Sequence, residues 1–174
     1  MEKSYREIYI NMLKIMQLVI LLTIMVPLEA TSQTSGTPET LLVDLPGWDG
    51  SSLKINTIQT GTGKTLITQR SYSQGTNKTM DAMIVIGNTI SYQSGFVSGK
   101  NIETPESKIM TQTIDGFNVV IKYNKQNSSG AVMVMIKGGQ VDGAIFILEF
   151  KGINDIQAVD LSQKFNWNEI KAKT

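Results

Sequence analysis

Short runs in which apolar and polar residues alternate, separated by turn-forming residues, occupy most of this chain of 174 residues. Such runs predict β-strands, because alternate side chains of a strand point to opposite faces of its sheet. Seven runs fit, at residues 52–58, 65–72, 80–86, 109–114, 117–123, 131–136 and 141–150. The predicted fold class is therefore α+β: a curled antiparallel β-meander of about seven strands with a C-terminal helix cover.

The residues between the runs are typical of tight turns. Asp115-Gly116 is the strongest hairpin signal, and Gly138-Gly139 joins the last two runs. Short links place consecutive strands side by side, so each strand is predicted to pair with the next one along the chain.

Gly87–Ser107 does not fit this meander. The segment is rich in Gly and Ser, yet it contains Tyr92, Phe96 and Val97. It is predicted to be a long loop, although the four-residue spacing of Tyr92 and Phe96 also allows a helix. Two roles stay open for its apolar residues: contact with a ligand or partner, or cover for an open face of the sheet.

The last two long strands are apolar on both faces, so both faces of the sheet need cover. The residues predicted to be buried there are Val132, Val134, Ile136, Ile145, Phe146, Ile147 and Leu148. C-terminal helices are predicted to cover one face, and curling of the sheet towards a half-barrel is predicted to bury the other.

Two short helices are predicted after the last strand. Asn154 and Asn166 each precede a Gln or Glu by three residues, which resembles a capping box with Asn in place of Ser or Thr. On the first helix, Ile156, Val159 and Gln163 are predicted to share one face.

The first thirty residues differ from the rest and resemble a cleavable signal peptide. Basic residues precede the apolar run Ile15–Val26, and Leu28-Glu29-Ala30 ends in a small residue. The run is shorter than the roughly 18 residues typical of a membrane span, and an uncleaved signal anchor is the alternative. Met1 and Met12 both remain candidate starts. We predict export to the periplasm or the medium, with no stable membrane insertion after cleavage.

Residues 31–40 are polar and are predicted to form a flexible spacer, which leaves 41–174 as a single β-rich domain. The chain has no cysteine, so no disulfide can stabilise it. Its net charge of +1 gives no electrostatic reason to bind nucleic acid.

Histidine is absent as well, which removes Ser-His and Cys-His nucleophile pairs and the usual zinc ligands. Gly61-Thr62-Gly63-Lys64-Thr65 ends like a phosphate-binding loop, but a strand-like run follows where that loop needs a helix, so a hairpin turn is predicted. Ser98-Gly99-Lys100 lacks the spacing of a Ser-Lys catalytic pair. No catalytic residue, cofactor or metal site is predicted.

Two weaker chemical possibilities remain. Asp81, Asp142 and Glu149 lie in or near strands. Two of these acids could act as the catalytic pair of a hydrolase only if the fold brought their carboxyl groups together. Met133 and Met135 share one strand face and could bind Cu(I), although methionine more often fills gaps in a core.

An exported domain that opens near Leu45-Pro46-Gly47-Trp48, continues through an antiparallel meander and closes on a C-terminal helix resembles the small α+β sandwiches of the Mog1/PsbP group. The resemblance covers about residues 41–172 and lies in the order of the elements. It implies a scaffold for partner binding more than a catalyst, and it transfers no functional residue.

The predicted function is that of a non-enzymatic exported domain that binds a protein partner or small ligand, with Tyr92, Phe96 and Val97 as candidate contacts. The alternative is a carrier that holds a lipid or other hydrophobic ligand inside the curled sheet. A carboxylate hydrolase is the third possibility. The shape and lining of any cavity would distinguish the three.

Overall fold

Nine antiparallel strands form one sheet in the computed structural model, which describes residues 41–60, 63–96 and 99–174. The strands are β1 Asp49–Gly50, β2 Lys54–Thr60, β3 Gly63–Gln74, β4 Lys78–Gly87, β5 Asn101–Glu103, β6 Ser107–Ile114, β7 Phe117–Asn124, β8 Ser129–Lys137 and β9 Gly143–Lys151. The helices are α1 Ile90–Gln93, α2 Asp155–Ser162 and α3 Trp167–Lys173, and a 3₁₀ turn at Ser94–Phe96 follows α1. The signal peptide and spacer predicted for residues 1–40 lie outside the described residues.

All seven predicted strands are present, as β2, β3, β4 and β6 to β9. The predicted count was too low, because two further strands, β1 and β5, have only two and three residues. Strands this short show too little alternation to be recognised from sequence. The sheet is not closed, since its order runs from β1 and β2 at one edge to β5 at the other.

Two meanders meet in the middle of the sheet. The strands β2, β3 and β4 pair in succession, as do β5 to β9, but β4 pairs with β9 over nine residue pairs. The prediction that every strand pairs with the next is therefore wrong after β4. The physical reason is burial: β4 and β9 are apolar on both faces, and only central strands have cover on both sides.

The hairpin predicted at Asp115-Gly116 is confirmed. Both residues have positive φ, 51° and 82°, as a type I′ turn requires. The turn joins Ile114 directly to Phe117 across the β6–β7 pair.

One side of the sheet packs against α2 and α3, and we call it the helical face. All seven residues predicted to be buried in β8 and β9 are buried, five of them on this face. Phe165, between the two helices, packs against Phe146 with ring centroids 5.1 Å apart and against Tyr72 at 5.8 Å. Trp167 packs edge-on against Phe117 at 5.8 Å. These contacts fill the space between helices and sheet.

The capping box at the start of α2 is confirmed, because Asn154 and Gln157 exchange side-chain and backbone hydrogen bonds. The face predicted for α2 is only partly the buried one: Val159 packs against the core, but Ile156 is 69% exposed, while Ala158 and Ser162 are buried. Small residues four apart let a helix approach a sheet closely, which outweighs the hydrophobicity of Ile156.

The chain before β1 is fastened to β3 by polar contacts. Arg70 donates to the carbonyl oxygen of Leu42 at 2.9 Å and forms an ion pair with Asp44. The Tyr72 hydroxyl donates to the carbonyl oxygen of Val43 at 2.8 Å, and burial raises the pKa of Tyr72 to about 12. Tyr72 therefore stays protonated and holds this segment over the core at ordinary pH.

Candidate functional site

The side of the sheet opposite α2 and α3, which we call the second face, is covered over only part of its area. Phe96 is buried on it against an apolar cluster, and Tyr92 is half-buried beside the same cluster. The strand residues of this cluster are Ile67, Met83, Val85, Val120, Met133, Met135, Ile145 and Ile147. Part of the second cover thus comes from the segment that contains Tyr92 and Phe96, as one of the two roles left open for these residues predicted, rather than from curling of the sheet alone.

The segment between β4 and β6, for which both a loop and a helix were considered, contains the short helix α1, the 3₁₀ turn and the strand β5. Of the three candidate contact residues, Phe96 is 5% exposed and Tyr92 is half-buried, and Val97 lies outside the described residues. Both described rings pack on strand residues, as the covering role requires. Burial raises the pKa of the Tyr92 hydroxyl, so that group is neutral at ordinary pH.

Thr89 anchors the covering segment to the loop between β8 and β9. Its backbone N–H donates to the carbonyl oxygen of Gly139 at 2.9 Å, and the N–H of Gly139 donates to the Thr89 hydroxyl at 3.0 Å. A Cβ on Gly143 would lie 2.1 Å from that hydroxyl, so only glycine fits there. Sequence reasoning missed this anchor because the residues are fifty positions apart.

A carboxylate pair lies on the second face beyond the covering segment. Asp81 on β4 is directly opposite Glu149 on β9, so the pairing that joins the two meanders brings the two acids together. Directly opposed residues have Cβ atoms about 4.5–5.5 Å apart. Asp81 accepts hydrogen bonds from Ser71 at 2.5 Å and from Gln69 at 3.5 Å.

Glu149 differs from its neighbour because no side-chain hydrogen bond or ion pair joins it to any other described residue. It is half-buried, and burial together with the charge of Asp81 raises its pKa. A carboxylate in this position is poorly solvated and faces a like charge, so protonation or a bound cation would stabilise it.

A half-buried lysine lies two strands away in the same row. Ala131 on β8 is opposite Glu149 on one side and Lys122 of β7 on the other. Neighbouring strands are about 4.8 Å apart, which separates the two charged residues by about 10 Å at their Cα atoms. Burial lowers the pKa of Lys122. We call Ser71, Asp81, Glu149, Ala131 and Lys122 the charged row.

The other residues considered from sequence lie outside the charged row. Asp142 is exposed and forms an ion pair of 2.7 Å with Lys137, and the hydrogen bond from Lys137, together with its charge, lowers the pKa of Asp142. Met133 and Met135 do share one strand face, where both pack, partly buried, against the apolar cluster, which is the gap-filling role common for methionine. Gly63–Gln74 is a strand, so no helix follows the sequence that resembles a phosphate loop.

Two open depressions lie on the helical side, away from the charged row. One has a volume of about 280 Å³ and is lined by Asp115, Phe117, Gln163, Asn166, Trp167 and Asn168. The other, of about 240 Å³, is lined by Trp48, Gln74, Lys78, Ile153, Gln157, Asp160 and Leu161. Both are smaller than the roughly 300–1,000 Å³ typical of small-molecule pockets.

Among residues 41–60, 63–96 and 99–174, no group of three or more acidic side chains is arranged to hold a metal ion. No helix in that part of the chain has the length and hydropathy of a membrane span. No protein-family model, curated protein or solved structure matches the chain.

Proposed function

We propose that this chain is a non-enzymatic exported domain that binds a protein partner or small ligand on the second face, at the charged row. The observation that carries the proposal is Glu149, a half-buried carboxylate that faces Asp81 and has no compensating partner among the described residues. A group of this kind costs folding free energy, so its position is best accounted for by a bound positive group.

A cationic group of the ligand, such as an ammonium or guanidinium, would lie between the two carboxylates. Its charge would offset the repulsion between Asp81 and Glu149 and lower the pKa of Glu149. Asp81 is already oriented by Ser71 and Gln69, so the site is partly preorganised.

Tyr92, which is half-buried on the same face of the sheet, would provide an aromatic contact to a ligand large enough to reach it. Phe96 would act indirectly, by fixing the covering segment on the apolar cluster. Val97 is proposed as a further contact from the sequence pattern alone.

The alternative of a hydrophobic carrier has less support. The helical-face side chains of β8 and β9 that would line its cavity instead contact Phe165 and the two C-terminal helices. A lipid would have to displace these buried groups.

A carboxylate hydrolase is the second candidate function, and the opposed Asp81–Glu149 pair favours it. A retaining glycosidase needs two carboxyl groups about 5–5.5 Å apart, which opposed strand positions allow. A glycosidase assay with chromogenic substrates separates the two: turnover that is lost in Glu149→Gln supports the enzyme and contradicts the non-enzymatic proposal.

Capture from the exported fraction tests the binding proposal. Immobilised wild-type protein is compared with Glu149→Gln, and with Asp142→Asn as the matched control, since Asp142 is an exposed acid of the same domain. We expect wild type and Asp142→Asn to capture the same partner and Glu149→Gln to lose it. Equal capture by all three proteins would exclude the charged row as the site.

Tyr92→Ala is the matching test of the aromatic contact. We expect weaker capture with an unchanged fold, because Tyr92 is not fully buried. Capture equal to wild type would remove Tyr92 from the site and leave it the covering role alone.

Export is proposed on the sequence pattern of residues 1–30. N-terminal sequencing of the exported protein is expected to begin near Thr31. An intact Met1 or Met12 on a membrane-bound product would contradict it.

A further inference from the structure

The two edges of the sheet differ in how well they are protected against pairing with another chain. At one edge, β2 pairs with β3 over seven residue pairs, and no described strand pairs with its other side. Lys54, Ile55, Asn56, Thr57 and Gln59 of this strand are all exposed. An exposed strand edge presents unpaired N–H and C=O groups that can accept a further strand.

The opposite edge has the features that block such pairing. β5 has only three residues, its Glu103 forms an ion pair of 2.7 Å with Lys125, and Pro105 follows it. Short length, charge and proline are devices that prevent edge-to-edge association. β2 has none of these after Lys54: residues 55–60 are uncharged and contain no proline.

We propose that β2 pairs with β2 of a second copy of this chain, antiparallel and centred on Thr57. This goes beyond the proposed function, because it assigns an interface that the charged row does not use. The sequence of β2 fits its own reverse: Lys54 would face Thr60, Ile55 would face Gln59, and the two Thr57 residues would face each other. No like charges are opposed in this register.

Cross-strand side-chain contacts favour a second copy of β2 as the strand that pairs with this edge. Opposed Thr–Thr pairs are favourable across antiparallel strands, and opposed like charges would be unfavourable. Ile55, which is 43% exposed in the single chain, would gain cross-strand neighbours. The two-fold axis would be perpendicular to the sheet, so both charged rows would lie on the same side of one continuous sheet.

The absence of cysteine allows a direct test of the register. In the proposed dimer the two Thr57 residues are directly opposed, with Cβ atoms about 4.5–5.5 Å apart, so a disulfide needs only a small local shift of the strands. The two Ile55 residues are four residue positions apart along the paired strands, which is too far for a disulfide. We expect exported Thr57→Cys protein to form a disulfide-linked dimer under oxidation, and Ile55→Cys, the matched control on the same strand, to remain unlinked. Equal linkage of both would overturn the register.

Mass measurement by light scattering tests the association itself. We expect the exported wild type to have twice the mass of one chain, and Thr57→Lys to lose the doubling because two lysines would oppose each other. Ile102→Lys, at an exposed position on β5, should keep the doubled mass. Mixing Thr57→Lys with Thr57→Glu should restore it. A wild type of single-chain mass, or a doubled mass in Thr57→Lys, would overturn the proposal.

Discussion

The two faces of the sheet have different coverings, and the difference shows which face provides most of the buried core. Among the described residues, twenty-two buried apolar side chains form the cluster on the helical face, and six form the cluster on the second face. The larger cluster provides most of the hydrophobic stabilisation, which scales with buried apolar area. The large core on the helical face can therefore offset the unfavourable opposition of Asp81 and Glu149 on the second face, and the domain stays folded. A protein with a smaller core would have less stability to offset that cost.

The largest expected loss of stability comes from truncating a phenylalanine on the helical face, with a phenylalanine on the second face as its comparison. Phe146→Ala on the helical face should lower the free energy of unfolding by about 3–5 kcal/mol, because this fully buried ring leaves a cavity against Phe165. Urea unfolding followed by circular dichroism measures it. A loss within about 0.5 kcal/mol, the range of surface substitutions, would show that the helical face is not the main core.

Phe96→Ala should have a smaller effect, about 1.5–3 kcal/mol, which is the cost of exposing the apolar area that the ring buries. The covering segment can shift onto the cluster after the change, whereas the central strand that bears Phe146 cannot. The same urea experiment checks this. A loss equal to that of Phe146→Ala would remove the distinction between the two faces.

Glu149→Gln should raise stability at pH 7 by about 0.5–1 kcal/mol, because it removes one of two like charges opposed across a strand pair. The pH dependence follows from the raised pKa of Glu149. A carboxyl whose pKa is higher in the folded than in the unfolded protein binds its proton more tightly when folded, so its contribution favours folding at low pH and is lost as pH rises through the folded pKa.

Wild-type protein should therefore gain more stability than Glu149→Gln when the pH falls from 7 towards the ordinary pKa of glutamate. Comparing the two proteins is essential, since Glu103 and Asp142 have lowered pKa values and act in the opposite direction in both. Parallel pH profiles for wild type and Glu149→Gln would contradict the assignment.

The smallest effect is expected for Asp142→Asn. This exposed acid pairs with Lys137 in solvent, and surface ion pairs contribute little. Its unfolding curve should coincide with that of wild type. A shift comparable to that of Glu149→Gln would show that any change of acidic residue alters stability, and that the location on the second face is unimportant.

The sequence predicted the strands well because their alternation is a local signal. The Asp115-Gly116 hairpin and the cap at Asn154 were predicted for the same reason, since each depends on a few neighbouring residues. The β4–β9 pairing was not predicted, because it joins residues more than fifty positions apart and no local pattern encodes it.

The candidate site depends on that one long-range pairing. Asp81 and Glu149 were recognised as strand acids, but their opposition follows only from the register of β4 against β9. Lys122 gave no signal in the sequence, since its burial arises from the packing of three strands. Phe96 was recognised as an apolar residue in an unusual segment, and only the fold distinguishes cover from contact.

Among the residues that the structure describes, Glu149 on the second face lies opposite Asp81 without a side-chain hydrogen bond or ion pair. Its carboxyl pKa, measured by carbon-13 NMR titration of the exported chain, tests this most directly. The pKa should lie above that of ordinary glutamate in wild type, should be lower in Asp81→Asn, where the like charge is gone, and should be unaffected by Asp142→Asn. An ordinary pKa in wild type, or one that Asp81→Asn leaves unchanged, would contradict the account.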